Sequence, residues 1–277
     1  MKYSKVTTTI AFIFLSLVFI SPLFAEDVRI RILASNLTSG NYQSYQEPGK
    51  RILKGLSPDI VLIQEFNTDE SIDIFVDNVF GTDFHWMIEP GNEQIPNGVI
   101  SRWPILDSGQ WEDVEVNNRD FAWARIDIPG TRDLWAVSLH FLTSGSSVRN
   151  DEASALKSFI EANVPDKDYL VIGGDLNTDS HTESCLSTLS GIVITSSPYP
   201  SDRNSNANTN RSRSKPYDWV LADSDLDARE TAVVLGTNSF SSGLVFDSRV
   251  YTPLSDASPV QYSDSEAMSE ALDSRGV

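Results

Sequence analysis

The sequence predicts one large α/β unit, and three observations carry that prediction. Short apolar runs of strand length alternate along the chain with amphipathic stretches of helical period. A chain of 277 residues exceeds the common single-domain size, but two-sheet α/β or β-rich folds reach it as one unit, and neither an internal repeat nor a long linker divides it. Cys185 is the only cysteine, so the fold must rest on a packed core rather than on disulfides.

The first 25 residues read as a leader. Lys2 and Lys5 precede an apolar run from Ile10 to Ile20, followed by Pro22, Ala25 and the charged pair Glu26 and Asp27. That is the order of a secretory signal, and the run is short for a bilayer span. Cleavage is expected after Ala25, giving a secreted or periplasmic protein without a stable membrane span; Leu23 occupies a position where a small residue is preferred, which keeps an uncleaved anchor as the alternative. Loss of Lys2 and Lys5 takes the formal charge from −18 to −20. Such a surface repels nucleic acid at long range unless cations or a local basic patch intervene. It does not exclude a nuclease with its metal in an acidic cleft.

In the remaining chain, 26–277, Val28 to Ser35 alternates as a strand and delivers Asn36 at its end. Asn36 is either a turn residue or a carboxamide placed where open sheets present their sites. Tyr45 to Leu56 predicts a helix with Ile52, Leu53 and Leu56 on one face, stopped by Pro58. Asp59 to Gln64 is a buried strand followed directly by Glu65. A carboxylate there is costly to bury unless it is paired or binds metal. Ser71 to Val79 predicts a helix, Phe84 to Ile88 a strand, and Asn97 to Trp103 a strand that carries Arg102. Arg102 could clamp phosphate bidentately or salt-bridge a neighbouring acid.

Phe121 to Ile128 and Asp133 to Leu139 are the next strands, and His140 stands just past the second. Asp151 to Asn163 predicts a helix. It leads into Tyr169-Leu-Val-Ile-Gly-Gly-Asp-Leu-Asn177, a buried strand whose glycines open the backbone so that Asp175 and Asn177 project into a cleft. Two apart on an extended chain, they point the same way. A carboxylate beside a carboxamide suits phosphoester hydrolysis, one handling a proton or metal and the other donating to phosphate oxygens. The plainer reading is a strand running into an Asx-rich turn. Asn36, Glu65, His140 and Asp175 thus share one placement, the strand end.

Residues 196–216 form a polar tract with Arg203, Arg211, Arg213 and Lys215, read either as a solvated, partly mobile loop or as a local cationic patch for a phosphate chain. Tyr217 to Ala222 is a strand with Asp218 in an apolar run, and such an acid needs a partner.

Taken in order, Asn36, Gln64-Glu65, Ser101-Arg102-Trp103-Pro104, Ser138-Leu139-His140, Gly174-Asp175-Leu176-Asn177 and Tyr217-Asp218-Trp219-Val220-Leu221 resemble the endonuclease/exonuclease/phosphatase superfamily, nearest to secreted deoxyribonuclease-like members. The resemblance runs from Val28 to about Tyr262. It implies a four-layered α/β sandwich, two mostly antiparallel sheets flanked by helices, with a divalent-metal phosphodiesterase site at one end. It further implies that Glu65 and Asn36 bind Mg²⁺, with Mn²⁺ or Ca²⁺ as alternatives. By the same likeness Asp175 orients or deprotonates the attacking water, Asn177 holds the phosphate, His140 contacts the scissile phosphate or protonates the leaving oxygen, and Asp218 orients a second histidine.

That second histidine is missing. The family pattern ends in Ser-Asp-His, whereas this tail reads Ser263-Asp264-Ser265, and the only histidines are His85, His140 and His181. Asp264 fits the motif's Asp loosely and is carried as a metal-ligand candidate; His181 is read as a loop residue. The tail is therefore expected to be truncated, frameshifted or repurposed. The expected function is an exported, monomeric, metal-dependent phosphodiesterase cutting DNA or RNA, impaired by the missing histidine. A phosphatase or phospholipase acting on a small phosphoester or lipid headgroup, and an inactive phosphate-binding module, are the alternatives.

Overall fold

Alternation along the first strand sorts its side chains into two different cores: Ile32 and Ala34 face one way, Leu33 the other. A computed structural model of the chain describes Met1 and residues 28–36, 47–91, 94–264 and 272–276. Apart from Met1, the expected leader and its cleavage site lie outside the described residues.

The elements follow in chain order. Strand β1 (Arg31–Asn36) leads to helix α1 (Glu47–Leu56), β2 (Ile60–Gln64), α2 (Ile72–Val79), β3 (His85–Ile88), β4 (Gly98–Ser101), β5 (Ile105–Trp111), β6 (Phe121–Ile126) and β7 (Leu134–His140). Then come α3 (Ser146–Asn163), β8 (Tyr169–Asp175), α4 (Ser184–Leu189), β9 (Asp218–Ala222), α5 (Ser224–Asp227), β10 (Val233–Leu235), β11 (Asn238–Phe240), β12 (Leu244–Phe246) and β13 (Leu272–Gly276). One sheet has the order β12-β13-β1-β2-β4-β3, the other β5-β6-β7-β8-β9, and β10 pairs with β11 alone. Every neighbouring pair in the two large sheets is antiparallel except β1 with β2 and β7 with β8.

Three apolar layers hold the four structural layers together. Between the sheets, Ile32, Ala34, Ile60, Leu62 and Val99 meet Ala122, Ala124, Ala136, Val171 and Val220. The alanines keep this layer thin. Outside the first sheet, Leu33, Val61 and Ile63 pack under Ile52, Leu53 and Leu56 of α1 and Phe75 and Val76 of α2. Outside the second, Val137, Leu139 and Ile172 pack under Ala153, Leu156 and Ile160 of α3 and Leu186 and Leu189 of α4. The α/β sandwich expected from the sequence is the fold observed.

Five strands escape the sequence pattern: β5, β10, β11, β12 and β13. Strand β5 is an edge strand with Asp107 and Ser108 exposed on it, so it lacks a sustained apolar alternation. Strand β13 lies in the tail, where the sequence suggested a lost or repurposed end. It pairs antiparallel with both β1 and β12.

The polar tract at 196–216 is also different from its mobile-loop reading. Asp202 accepts from the N–H groups of Asn204 and Asn206 at 2.8 and 3.0 Å, and Asn210 from those of Ser214 and Lys215 at 2.8 and 3.0 Å. These Asx turns give the segment its own framework. Arg213 crosses it to bond Asp202 at 2.9 Å and Asp247 at 3.0 Å, and Arg249 adds a contact to Asp247 at 2.8 Å. Burial alone would raise the carboxyl of Asp247, but Arg249 and Arg213 hold it down at about 2. Because this lies below the ordinary 3.8, the pair's stabilisation is complete above about pH 4 and is lost as pH falls toward 2. Asp247→Asn should lower stability by about 3 kcal/mol, since it leaves two cations against a buried neutral amide. Urea unfolding at pH 7 measures this, and an unchanged midpoint would show that Arg213 and Arg249 do not depend on the carboxylate.

Candidate active site

Each large sheet contains one parallel pair, and the four carboxyl ends of those strands lie at the same end of the sandwich. Ligands of α/β sheets gather at such ends. In the ladders, Asn36 stands opposite Gln64, His140 opposite Asp175, and Asp175 opposite Asp218. Counting by twos from the inner-layer residues Ala34, Ala136, Val171 and Val220 turns Asn36, His140, Asp175 and Asp218 into the space between the sheets.

Glu65 breaks that count. Gln64 takes the inward position, where its Nε2 donates to Ser138 Oγ at 2.8 Å, and Ser138 Oγ donates to the Ile63 carbonyl at 2.8 Å. Glu65 follows with φ of 54°, in the left-handed region that non-glycine residues seldom occupy, and its carboxylate swings to Asn36. Gly174 has φ of 136°, and a Cβ there would stand 2.1 Å from the Leu139 carbonyl and 2.6 Å from Gln64 Nε2. Only glycine lets β8 pass this close to the Gln64 plug.

The polar groups converge from both sheets. Asn36 Nδ2 donates to Glu65 Oε1 at 3.2 Å and to Asp175 Oδ2 at 2.9 Å. His140 Nε2 lies 3.6 Å from Asp175 Oδ2 and 3.9 Å from Glu65 Oε1, in reach of the cluster but beyond hydrogen-bond length. Asp175 Oδ1 accepts from the N–H of Asn177 at 2.9 Å, and Asn177 Nδ2 donates to the Phe141 carbonyl at 3.0 Å. Asn177 has φ of 50°, so the two residues are joined by an Asx turn rather than aligned on an extended strand. The Asx-turn reading of this stretch is therefore the geometry observed.

The electrostatics depend on a residue that the sequence reading did not single out. Arg119, 5% exposed, donates through Nε to the His140 carbonyl and through Nη2 to the Phe141 carbonyl at 3.1 Å. Burial lowers its pKa, while Glu152, Asp175, Asp113 and Glu65 act in the opposite sense, so it remains a cation beneath the cluster. Burial first, and the Arg119 charge second, push His140 well below the ordinary histidine value. A neutral ring forms no ion pair with Glu65 or Asp175 despite the short approach. Arg119 could be suspected from sequence only as an arginine two residues before strand β6.

Two candidates stand apart from the cluster. Arg102 follows β4, which runs antiparallel to β2, so it lies at the opposite end beside Asp59, bonded at 3.0 Å. The six residue steps from Asp59 to Glu65 span roughly 20 Å of strand. Arg102 therefore salt-bridges an acid instead of clamping phosphate at this site. Asp264 gives its carboxylate to Arg51 of α1, at 2.6 Å from Nη2 and about 3 Å from Nε, and also accepts the Gln261 N–H at 2.8 Å. That fork replaces the metal contact considered for it. Ser265 lies outside the described residues. Asp218 is buried, with its N–H donating to Thr209 Oγ1 at 2.7 Å. His181 stacks on Tyr199 at 4.3 Å and meets Trp219 edge-on at 5.3 Å, as a loop residue anchored by aromatic contact.

Among the described residues no three His, Cys, Asp or Glu side chains form a metal cage. Mg²⁺ does not require one, since it binds through one or two carboxylates and keeps several waters. Glu65 beside the Asn36 carboxamide, with Asp175 joined through the same amide, supplies hard oxygen donors of that kind. The donor set fits the ion.

Comparison with known proteins agrees with this architecture. Residues 48–259 match the model of the Endonuclease/Exonuclease/phosphatase family. No curated protein matches the sequence. Among solved structures, an endonuclease/exonuclease/phosphatase from Bacteroides vulgatus superposes with a TM-score of 0.64 at 12% identity, covering 90% of this chain and 98% of that one. The mannosyl-6-phosphatase Bt3783 of Bacteroides thetaiotaomicron gives 0.60 at 13%, covering 90% and 99%. Sphingomyelinase C from Streptomyces griseocarneus gives 0.59 at 14%, covering 91% and 100%. At these identities the structural likeness speaks for fold, and the family match for descent. The chain belongs to the endonuclease/exonuclease/phosphatase family.

Proposed function

We propose that the protein is an exported, monomeric phosphoester hydrolase that depends on a divalent metal. The observation that carries this reading is the meeting of Asn36, Glu65, His140, Asp175 and Asn177 at one end of the sandwich. Glu65 and Asn36 would hold Mg²⁺, or Mn²⁺ or Ca²⁺ in its place, and the ion would supply positive charge to the phosphate oxygens. Asp175, fixed by Asn36 and by the Asn177 N–H, is placed to orient water and take its proton. Asn177 and a neutral His140 donate hydrogen bonds to phosphate oxygens, a role that suits an uncharged imidazole better than protonation of a leaving group. The export reading rests on the N-terminal sequence alone; among the described residues no helix is long and apolar enough to cross a membrane.

Two substrate readings follow. The ordered motifs favour a nuclease that cuts DNA or RNA. A small phosphoester or lipid headgroup is favoured by the fate of the polar tract: Arg213 is spent on Asp202 and Asp247, Arg203 on the Thr252 carbonyl and Lys215 on Asp179. A protein with formal charge −18, in which three of the four cations of this tract bond to its own acceptors, has little with which to track a polyanion.

With Mg²⁺, hydrolysis of bis(p-nitrophenyl) phosphate is expected and should disappear on chelation. Nicking of plasmid DNA by the same protein selects the nuclease reading, and its absence the small-ester reading. Metal binding without turnover of either substrate would mark an inactive phosphate-binding module and overturn the proposal. Glu65→Gln should weaken Mg²⁺ binding in calorimetry while preserving the fold; unchanged affinity removes Glu65 from the metal. Asp175→Asn should lower the rate by about 10² to 10⁴, and a loss under about threefold would exclude a proton-handling role. Ser265→His restores the family's Ser-Asp-His. It should raise the rate by roughly 10² if the missing imidazole limits turnover, as expected from a regained acid–base group.

A further inference from the structure

The three residues after His140 are held almost entirely by buried side chains. The Phe141 N–H donates to the Asp175 carbonyl at 2.9 Å, and the Phe141 carbonyl accepts from Arg119 and Asn177. The Leu142 N–H lies 3.0 Å from both oxygens of Glu152. The carbonyls of Leu142 and Thr143 each accept from Arg149 Nη1 at 3.1 Å. The same guanidinium reaches across to the segment after Asn177, with Nε 2.5 Å from Glu183 Oε1 and Nη2 3.3 Å from Asp179 Oδ2. Glu183 completes the link by accepting the Asp179 N–H at 2.8 Å. Arg149 thus ties the segment that follows His140 to the segment that follows Asn177.

Arg149 and Glu152 sit three residues apart on the inward face of α3, next to Ala153, Leu156 and Ile160, and are 1% and 0% exposed. A helix that only needed to pack would place apolar residues there, because buried ionic groups are frequently no more stabilising than hydrophobic ones. The fork geometry of arginine explains the choice of residue. One planar group satisfies two carbonyls on one segment and two carboxylates on the other, and so fixes the distance between them.

We propose that Arg149 is a positioning residue for phosphoester hydrolysis, setting the separation of His140 and Asn177 by locking residues 142–143 to residues 179–183. The proposal rests on the reading of the site as a hydrolase. Lysine keeps the charge but cannot bridge four acceptors, so Arg149→Lys loosens the lock while leaving the core filled. In the full chain, Arg149→Lys should stay folded by circular dichroism and keep its Mg²⁺ affinity, while kcat on bis(p-nitrophenyl) phosphate falls about 10² with KM little changed. If Arg149 acts through Asn177, the double variant Arg149→Lys/Asn177→Ala should be no slower than Asn177→Ala alone. Multiplicative losses, or a folded Arg149→Lys whose kcat is within about threefold of the parent, would overturn the proposal. Amide hydrogen exchange tests the lock without turnover: in Arg149→Lys, exchange should quicken about tenfold in both segments together and not elsewhere. Quickening in one segment, or in neither, refutes the lock even if the parent hydrolyses the ester. A parent protein with no activity but coupled exchange would instead refute the hydrolase reading and leave the lock standing.

Discussion

Everything at the functional end depends on how the two sheets are held face to face, and the decisive contact is the hydrogen-bonded passage from Gln64 through Ser138 to the Ile63 carbonyl. Two sheets meeting through alanines, isoleucines and valines alone could slide, because apolar contact is non-directional. A buried amide and hydroxyl cannot slide without losing partners in a medium that offers no replacement. This plug sits one residue below Glu65 and against Gly174, so the register that it sets passes directly to the groups above it. Asn36 repeats the device at the rim, with one amide nitrogen reaching a carboxylate on each sheet.

The strand-end residues were legible because a polar group that ends an apolar run has few structural excuses. Asn36, Glu65, His140 and Asp175 satisfied that description, and the two parallel pairs bring them together. For Arg102 the salt-bridge alternative is the one observed, because β4 runs the other way and delivers its end to the far side. Asp264 was assigned through a motif whose histidine is absent, and its carboxylate answers to Arg51 instead. Arg119, Arg149 and Glu152 were illegible for a different reason. Their work is done on backbone carbonyls and N–H groups, which leave no mark in a sequence, and charged residues in a loop or helix ordinarily read as solvated.

The same difficulty explains the polar tract. Composition predicted a solvated loop because Asn, Ser and Arg rarely build a core. In this fold they build a local framework from Asx turns, with Arg213 as its central strut. Arg213, a charge that composition presents as available, is then committed internally. Net charge remains a fair guide to long-range repulsion, whereas the placement of individual cations is a property of the fold.

Strand β13 gives the order of assembly a direction. It inserts between β12 and β1, pairing Arg31 with Gly276, so nearly the whole chain separates the two partners. Until residues 272–276 have emerged from the ribosome, β1 has an open edge, and the strand that presents Asn36 carries a row of unanswered backbone groups. Contacts of such long range also slow folding, because loop closure must precede the pairing that rewards it. The first sheet, and with it the strand that presents Asn36, is therefore completed only when residues 272–276 are available to pair.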